Sequence, residues 1–208
     1  MEYEVRFYYS LNEKENIIND LDNIIELKNK GTFYEKTSQY NTNDVNNDFY
    51  SKEIDGRFRI RITKNDNISK CMLSWKRRLN DSINSKVNME EEIETRINPD
   101  DYNNFVKIVE DVLKMNRVES YERYRTIYSN NEIEIDVDEY PFALALEIEA
   151  KVNNNQEDII DKYVNLLKLD YNNSYRLSWD DKYEELCESQ NIKKLKDVLF
   201  SIEEMPKL

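Results

Sequence analysis

The chain has 208 residues and a formal net charge of −13, set by 43 acidic and 30 basic side chains. Histidine is absent, which excludes Ser–His and Cys–His nucleophile pairs and every histidine-ligated metal site, while only two glycines exclude the glycine-rich loops that bind nucleotides. Catalysis by this chain must therefore use carboxylates, lysine and arginine, with or without a hard metal ion that prefers oxygen ligands.

Net charge and cysteine content also limit which partners and which cellular compartment are expected. A strongly acidic chain is not expected to bind nucleic acid non-specifically through its outer surface. The two cysteines, Cys71 and Cys187, are far apart in sequence and are expected to be reduced thiols. Because no targeting peptide or spanning apolar run is visible in the sequence, we expect an intracellular protein without a membrane partner. Residue usage typical of AT-rich genomes, such as those of some giant viruses, extends the expected locations from the cytoplasm to a viral factory or virion.

The first half of the chain predicts mainly strands. A strand over residues 1–9 is followed by a helix in "NEKENIINDLDNIIELKNKG" that ends at Gly31, and then by the strand "TFYEKTSQY". After the loop "NTNDVNN", we predict a strand, a turn at Asp55-Gly56 and a strongly alternating strand in "DFYSKEIDGRFRIRIT". Two further strands, "KCMLSWKRRL" and "KVNMEEEIETRI", flank the polar loop "NDSINS".

The second half combines strands and helices. Pro99 opens a predicted helix that runs to about Met115, and three strands follow in "RVESYERYRTIY", "NEIEIDVDEY" and "FALALEIEAKV". An amphipathic helix is predicted in "QEDIIDKYVNLLKL", and two short helices in "DDKYEELCE" and "IKKLKDVLF". Short connections and the lack of a repeat predict a single α+β domain over residues 1–208, with an antiparallel sheet and helices outside it.

Seven of these strands alternate between apolar and charged residues, so each has one charged face. One interpretation is an open sheet with a salt-bridged, solvated face. In the other, the sheet closes and the charged faces line a tunnel. Surface ion pairs stabilise by only about 0–1 kcal/mol each, so this many charges exceed what solubility needs. A tunnel of this kind would bind a polyanion through arginine and lysine, and a divalent cation through glutamate.

The order of the motifs resembles the triphosphate tunnel metalloenzymes, which join the CYTH proteins with the metal-dependent RNA triphosphatases of fungal and viral mRNA capping. "EYEVR" looks like the family's ExExK/R motif, and "DFYSKEIDGRFRIR" is similar to its aromatic hairpin and R-x-R strand. "LSWKR", "EEEIET", "RYRTIY" and "EIDVDEYPFALALEIEAK" resemble its later strands in order, from residue 2 to about 151. Arg6 stands where CYTH members usually carry lysine and capping triphosphatases commonly carry arginine. Pro141 and Phe142, rather than a glycine, precede the final E-x-E.

The resemblance implies an eight-stranded antiparallel β-barrel tunnel, with helices packed outside, that hydrolyses a triphosphate with Mg²⁺ or Mn²⁺. It implies a metal site formed by Glu2, Glu4, Glu147 and Glu149. Phosphate would be bound by Arg6, Arg57, Arg59, Lys76, Arg123 and Arg125. The attacking water would be oriented by one of the carboxylates Glu92, Glu94 and Asp136. Further tunnel-lining residues would be Arg61, Arg78 and Glu134.

The expected function is a polynucleotide 5′-triphosphatase that removes the γ-phosphate of nascent RNA in the first step of mRNA capping. Its partners would be triphosphate-ended RNA and a guanylyltransferase domain, if the chain is the N-terminal domain of a larger capping enzyme. The alternatives are a CYTH-type tripolyphosphatase or thiamine triphosphatase, an adenylate cyclase of the same fold, and a non-catalytic polyphosphate- or nucleotide-binding module. The two intact E-x-E pairs favour an enzyme, because anion binding alone does not need four carboxylates.

Overall fold

The structure of the protein is a computed structural model, which describes residues 1–51, 53–79 and 86–208. Within these ranges the strands are β1 Glu2–Tyr9, β2 Lys28–Asn41, β3 Gly56–Lys64, β4 Ser69–Arg78, β5 Asn88–Ile97, β6 Asn116–Ser129, β7 Ile133–Glu139, β8 Leu144–Ala150 and β9 Asp197–Val198. The α-helices are α1 Lys14–Asp22, α2 Tyr102–Lys107, α3 Gln156–Leu166 and α4 Trp179–Gln190. No helix of this described part is long and apolar enough to cross a membrane.

The first eight strands form a closed barrel. Their order around the barrel is β2-β3-β4-β5-β1-β8-β7-β6, and β6 pairs back with β2 to complete the circle. Every neighbouring pair in this circle is antiparallel. The short strand β9 adds a parallel pairing to β6 outside the circle. The predicted α+β class and eight-stranded antiparallel tunnel, with helices packed outside, are confirmed.

Most of the hydrophobic core lies outside the barrel wall, between the strands and the helices. On β1, Val5 and Phe7 are buried in a cluster with Leu21 of α1 and Ile160 of α3. A second cluster joins α4 to one end of the barrel and includes the inward-facing Tyr121, and a third joins the segment after α2 to β3 and β4. Since the apolar faces point outward under helices, the charged faces point inward. The tunnel interpretation is therefore correct, and the open solvated sheet is wrong.

The predicted helix over "NEKENIINDLDNIIELKNKG" is too long. Helix α1 ends at Asp22, and β2 already begins at Lys28. Gly31 does not end a helix. It lies inside β2, at a bulge opposite β6, with φ of 100°. Ile24 and Leu27, which suggested that the helix continues, both pack on the core cluster without being helical. The chain from Lys28 onward is a strand because the 14-residue β2 pairs with β6 along its whole length.

Three further predictions meet different outcomes. The described residues 49–51 and 53–54, before Asp55, form turns and bends rather than a strand, and the ring of Phe49 packs edge-on against Trp75 with the ring centroids 5.0 Å apart. The segment "IKKLKDVLF" is not a helix, because Ser120 of β6 donates its backbone N–H to the Lys196 carbonyl and the chain continues into β9. The loop "NDSINS" lies outside the described residues.

The helix predicted from Pro99 is present, with an irregular course. It begins as a 3₁₀ turn at Pro99–Asp101, continues as α2 and ends as a π-helical turn at Ile108–Val112. Asn98 accepts a hydrogen bond from the Asp100 backbone N–H and so caps the start. Cys71, on β4 beneath this segment, is a buried free thiol, as predicted.

Candidate active site in the barrel tunnel

The barrel encloses a cavity of about 430 Å³ with a predominantly charged lining. Nine carboxylates and nine basic side chains reach it, so the cavity is electrically balanced although the whole chain is acidic. The carboxylates are Glu2, Glu4, Glu35, Glu90, Glu92, Glu94, Glu134, Glu147 and Glu149. The basic residues are Arg6, Arg57, Arg59, Arg61, Lys70, Lys76, Arg96, Arg123 and Arg125. Of the site residues predicted from the sequence, all but Arg78 and Asp136 line this cavity.

Strand register brings the two E-x-E motifs side by side. In the antiparallel pair β1–β8, Glu4 lies opposite Glu149, and Arg6 lies opposite Glu147. On the other side of β8, Glu134 of β7 lies opposite Glu149. Directly opposed residues of an antiparallel pair have neighbouring side chains on one face. The structure therefore places the four predicted metal ligands in one region of the tunnel.

Lys76 is surrounded by carboxylates. Its Nζ lies 2.7 Å from Glu2, 2.6 Å from Glu90 and 3.6 Å from Glu4. Burial acts to lower the pKa of Lys76, but Glu4, Glu2 and Glu92 outweigh it and hold the pKa above the usual lysine value. Lys76, a predicted phosphate ligand, is thus a fully charged cation that is neutralised by carboxylates in the ligand-free tunnel.

Arg6 links the two E-x-E motifs. Its Nε donates to Glu147 at 2.7 Å, and its Nη2 donates to Glu4 at 3.0 Å. A third donor, Nη1, reaches the Leu177 carbonyl at 3.1 Å, just before α4. The guanidinium fork suits this geometry, because its planar donors can reach two carboxylates at once.

Arg123 and Arg125 of β6 share a buried carboxylate with each other. Arg125 donates to both oxygens of Asp138 at 2.6 Å and to Glu147 at 2.6 Å. Arg123 contacts the same Asp138 and also Glu35, to which its Nε donates at 2.8 Å. Asp138 is completely buried, so the pair of arginines is fixed from behind the tunnel surface.

Asp136 and Arg78 are not among the residues that line the cavity. Asp136, predicted to orient water, is buried and forms an ion pair with Arg125 at 2.6 Å. Arg78 donates to Asp55 at 3.0 Å, in the turn segment that precedes β3. Arg57 does line the cavity, and it too contacts Asp55, while its Nη2 donates to Ser178 at the start of α4 at 3.0 Å. Arg57 thus marks the end of the tunnel that α4 covers.

Arg59, Arg61, Glu94 and Glu134 also line the cavity. Arg59 donates to Glu92 at 2.7 Å and to Ser74 at 3.1 Å. Arg61 donates to Thr37 at 3.1 Å. Glu94 and Glu134 line the cavity on β5 and β7.

Sequence reasoning missed Glu35 and Glu90. Glu35 is buried on β2, beside Arg123, and Arg123 and Arg61 lower its pKa strongly despite its burial. The period-two pattern over Phe33, Glu35 and Thr37 places Glu35 on one face, but a single glutamate in a tyrosine-rich strand gave no motif. Glu90 begins the run "EEE", in which alternation is hidden because adjacent residues carry the same charge.

The chemistry of the lining fits a divalent metal ion, although the carboxylates are engaged with cations. Within residues 1–51, 53–79 and 86–208, no three carboxylates converge as a ready metal site. Glu149 accepts no hydrogen bond and makes no ion pair in the same ranges, and burial together with Glu2 raises its pKa to about 9. Burial and a bond with Glu92 raise the pKa of Glu2 to about 7. A hard cation binding these oxygens would relieve this unfavourable burial.

Comparison with known proteins supports the fold. No family model and no curated protein sequence matches this chain. The PH1819 protein of Pyrococcus horikoshii OT3 is similar over 89% of this chain and 99% of its own, with 19% identity and a TM-score of 0.64. A putative adenylyl cyclase from Hippeastrum, described as having a dominant triphosphatase activity, matches 93% of this chain and 98% of its own, with 18% identity and a TM-score of 0.60.

A third solved structure, a putative adenylate cyclase from Vibrio parahaemolyticus, matches 86% of this chain and 96% of its own, with 13% identity and a TM-score of 0.61. At these identities the similarity concerns the fold. The chain therefore shares its fold with proteins that are described as putative adenylyl cyclases, one of them with a dominant triphosphatase activity.

Proposed function

We propose that this chain is a divalent-metal-dependent triphosphatase that hydrolyses a terminal phosphoric anhydride bond inside the tunnel. The observation that carries the proposal is the lining itself, in which nine carboxylates and nine basic side chains face one cavity. Barrels of eight strands are commonly filled by their own side chains, and burying this many charges costs free energy that apolar packing would not. A ligand of high charge density explains why the charges are retained.

Within the tunnel, the basic residues would bind the phosphate oxygens of the substrate. Arg6, Lys76 and Arg59 are each paired with a carboxylate that also lines the cavity. On substrate binding these cations would exchange carboxylate for phosphate, to which arginine donates in the same bidentate way. Arg123 and Arg125 are held by buried Asp138 and are therefore oriented before the substrate arrives. Preorganised cations of this kind stabilise the charge that develops in phosphoryl transfer.

Glu2, Glu4, Glu147 and Glu149 would hold Mg²⁺ or Mn²⁺ through carboxylate oxygens. Bound there, the metal would neutralise charge on the transferring phosphoryl group. Glu94 lines the cavity and makes no ion pair within the described residues, so we assign it the role of orienting the attacking water. Glu92 receives a hydrogen bond from Arg59 and would position that arginine.

For the substrate we propose a small inorganic or organic triphosphate first. The triphosphatase activity described for the similarly folded Hippeastrum protein supports this class. The second candidate is RNA with a 5′-triphosphate, with a guanylyltransferase domain as its functional partner. It is supported by Arg6, which contacts both E-x-E motifs at the position where the resembling capping triphosphatases commonly carry arginine.

The test measures phosphate release, with Mg²⁺ or Mn²⁺, from tripolyphosphate, thiamine triphosphate, ATP and γ-labelled triphosphate-ended RNA. Glu4→Gln and Glu149→Gln keep the shape of the side chains and remove the charge, and we expect each to lower turnover by about a hundred-fold or more. Glu91→Gln is the matched control. Glu91 pairs with Arg77, and both side chains are about 40% exposed, so its turnover should stay within about two-fold of the wild type.

The substrate panel separates the candidates. Turnover of RNA alone would select the capping function, whereas turnover of the small triphosphates alone would select the CYTH-type function. Tight metal-dependent binding without release from any substrate would make the chain a binding module. Equal loss of activity in Glu91→Gln and Glu4→Gln would show that the tunnel carboxylates have no special role.

A further inference from the structure

Apolar side chains interrupt the charged lining of the tunnel, and one of them, Trp179, belongs to the core cluster of α4. Phe33 of β2, Met72 of β4 and Ile127 of β6 all line the cavity. Phe33 is 8% exposed, and Met72 and Ile127 are half-buried. Phe33, Met72 and Ile127 belong to none of the core clusters that the helices form with the barrel. We call these three residues the apolar collar.

The collar lies at the end of the tunnel away from α4. Phe33 is near the start of β2 and Ile127 is near the end of β6, whereas the opposite ends of these strands carry Gln39 and Glu119. Gln39 pairs with Arg59 of β3, two residues from Arg57. The Nη2 of Arg57 donates to Ser178, which caps α4, so Gln39 and Glu119 lie at the end near α4. Since α4 covers that deeper end, Phe33 and Ile127 lie toward the other end, and Met72, whose register partner Arg61 pairs with Thr37, lies part of the way along the tunnel.

These side chains face the tunnel rather than the outer core. Phe33 and Arg125 are register partners, and both point into the tunnel. The outer face of the same two strands is already occupied by Tyr34 and Tyr124, whose rings are 5.7 Å apart. The position opposite Ile127 is Gly31, where a Cβ atom would have no heavy atom within 4 Å. Open space therefore adjoins the collar on its β2 side.

The collar also adjoins the phosphate-binding part of the tunnel. Phe33 lies beside Arg125, and Met72 lies between Arg61 and Arg96 in the register of β3, β4 and β5. A ligand with its phosphates among the arginines of the tunnel would place whatever is attached to those phosphates in the collar. Apolar side chains offer nothing to a bare inorganic chain, but an aromatic side chain stacks well on a flat ring.

We infer that the apolar collar binds the base of a nucleoside whose 5′-triphosphate occupies the charged part of the tunnel. The inference rests on the proposed function and narrows its substrate class to nucleoside 5′-triphosphates, either free or at the 5′ end of RNA. Phe33 provides the ring face, and Met72 and Ile127 close the sides. Polyphosphates without a nucleoside lack this contact and are the poorer substrates.

The experiment compares ATP, GTP, triphosphate-ended RNA and tripolyphosphate as substrates of the wild type, Phe33→Ala and Phe33→Tyr. The ratio of kcat/KM for ATP to that for tripolyphosphate should fall about ten-fold in Phe33→Ala, as expected for loss of one base-stacking contact. Phe33→Tyr keeps the ring and should restore the ratio. Ile93→Ala is the control, because Ile93 is 63% exposed and does not line the cavity. It should leave the ratio unchanged.

Calorimetric titration of the same proteins with ATP and with tripolyphosphate, in the presence of Mg²⁺, keeps the inference testable if no substrate turns over. About ten-fold weaker binding of ATP by Phe33→Ala, relative to tripolyphosphate, would support the collar even if the proposed function failed. Parallel losses for ATP and tripolyphosphate would overturn it, since Phe33 would then act only through the wall. An equal effect on ATP and RNA would indicate a site for the nucleoside alone, and a larger effect on RNA would indicate the RNA end as its source.

Discussion

Asp138 and Glu139 are neighbours on β7 whose side chains lie on opposite faces of the barrel wall. Asp138 is fully buried and bonded to Arg123 and Arg125, whereas Glu139 is partly exposed and pairs with Lys14. Removing one member of a buried ion network leaves its partners charged and unpaired. We expect Asp138→Ala to lower the free energy of unfolding by about 3–5 kcal/mol and Glu139→Ala to lower it by about 1 kcal/mol or less.

Urea denaturation of the two variants measures this difference directly. The comparison is matched, because both substitutions shorten an acidic side chain on the same strand. A small loss for Asp138→Ala, similar to that for Glu139→Ala, would mean that water or another carboxylate compensates the two arginines. The buried network would then contribute little to the orientation of Arg123 and Arg125.

Glu119 predicts a dependence of stability on pH. Burial and the charge of Asp180 raise its pKa to about 8. The charged groups that act on it are Asp180, Lys194, Arg57 and Asp181. The folded state therefore binds a proton at pH values at which the unfolded chain, with an ordinary glutamate pKa, has lost it. Stability attributable to Glu119 is present below about pH 4.5 and is lost as pH rises toward 8.

Glu119→Gln should remove this dependence, because the amide stays neutral and its oxygen can still accept the hydrogen bond from Gln39. Relative to the variant, the free energy of unfolding of the wild type should fall by about 1–3 kcal/mol between pH 5 and pH 9. Thermal unfolding at several pH values measures the difference. Parallel profiles for the two proteins would show that Glu119 ionises as readily in the fold as in the unfolded chain.

At the scale of elements, the alternation of charged and apolar residues predicted which residues of one strand share a face. It did not predict which face points into the barrel. Glu2, Glu4 and Arg6 were identified because charged and apolar residues alternate in β1. Which face points inward follows from closure of the sheet, and closure depends on the pairing of β6 with β2, whose register partners are 75 or more positions apart in the sequence. Local patterning carries no information on such distant pairing. The expectation of a closed barrel came instead from the order of the motifs, which resembles that of the tunnel family.

The missed features have the same physical origin. The segment before Asp55 has strand-like composition, but it folds over Trp75 because the long strand β2 already occupies the pairing edge of β3. Likewise, Glu35 and Phe33 lie in β2, a strand without a charged motif, while Met72 and Ile127 are single apolar residues beside the charged motifs of β4 and β6. Their position in the tunnel depends on register, which a slip of one residue would reverse.

Gly56 tests how the turn segment is held against the barrel. A Cβ atom at this position would lie 2.3 Å from Cη2 of Trp75, so Gly56→Ala must displace the indole ring and its contact with Phe49. We expect a loss of about 1–3 kcal/mol in the free energy of unfolding. The measurement is chemical denaturation followed by tryptophan fluorescence.

A double-mutant cycle separates this clash from a backbone effect. In a Trp75→Phe background the smaller ring leaves room, and the cost of Gly56→Ala should fall by about 1 kcal/mol or more. An unchanged cost in that background would assign the effect to the backbone at the start of β3, and the contact between Trp75 and Gly56 would then be incidental to stability.

At the scale of the whole molecule, charge is distributed unevenly between the tunnel and the rest of the chain. The net charge of −13 comes from residues outside the cavity, since basic and acidic side chains balance within it. An anion that enters alone would leave the carboxylates of Glu2 and Glu90 without their partner Lys76. A metal ion that enters alone would withdraw the same carboxylates and leave Lys76 unpaired. Each ligand therefore binds weakly without the other.

This balance predicts positive coupling between metal and triphosphate. Because ligands stabilise the folded state in proportion to their affinity for it, the increase in Tm with Mg²⁺ and tripolyphosphate together should exceed the sum of the increases with either one. Coupling of about 1–3 kcal/mol is typical of linked sites. Differential scanning fluorimetry measures the four conditions, and Lys76→Met should weaken the coupling, because the tunnel then lacks the cation that exchanges partners. Additive shifts in the wild type would mean that anion and metal occupy independent sites, and the exchange of ion pairs would not be how this tunnel accepts its substrate.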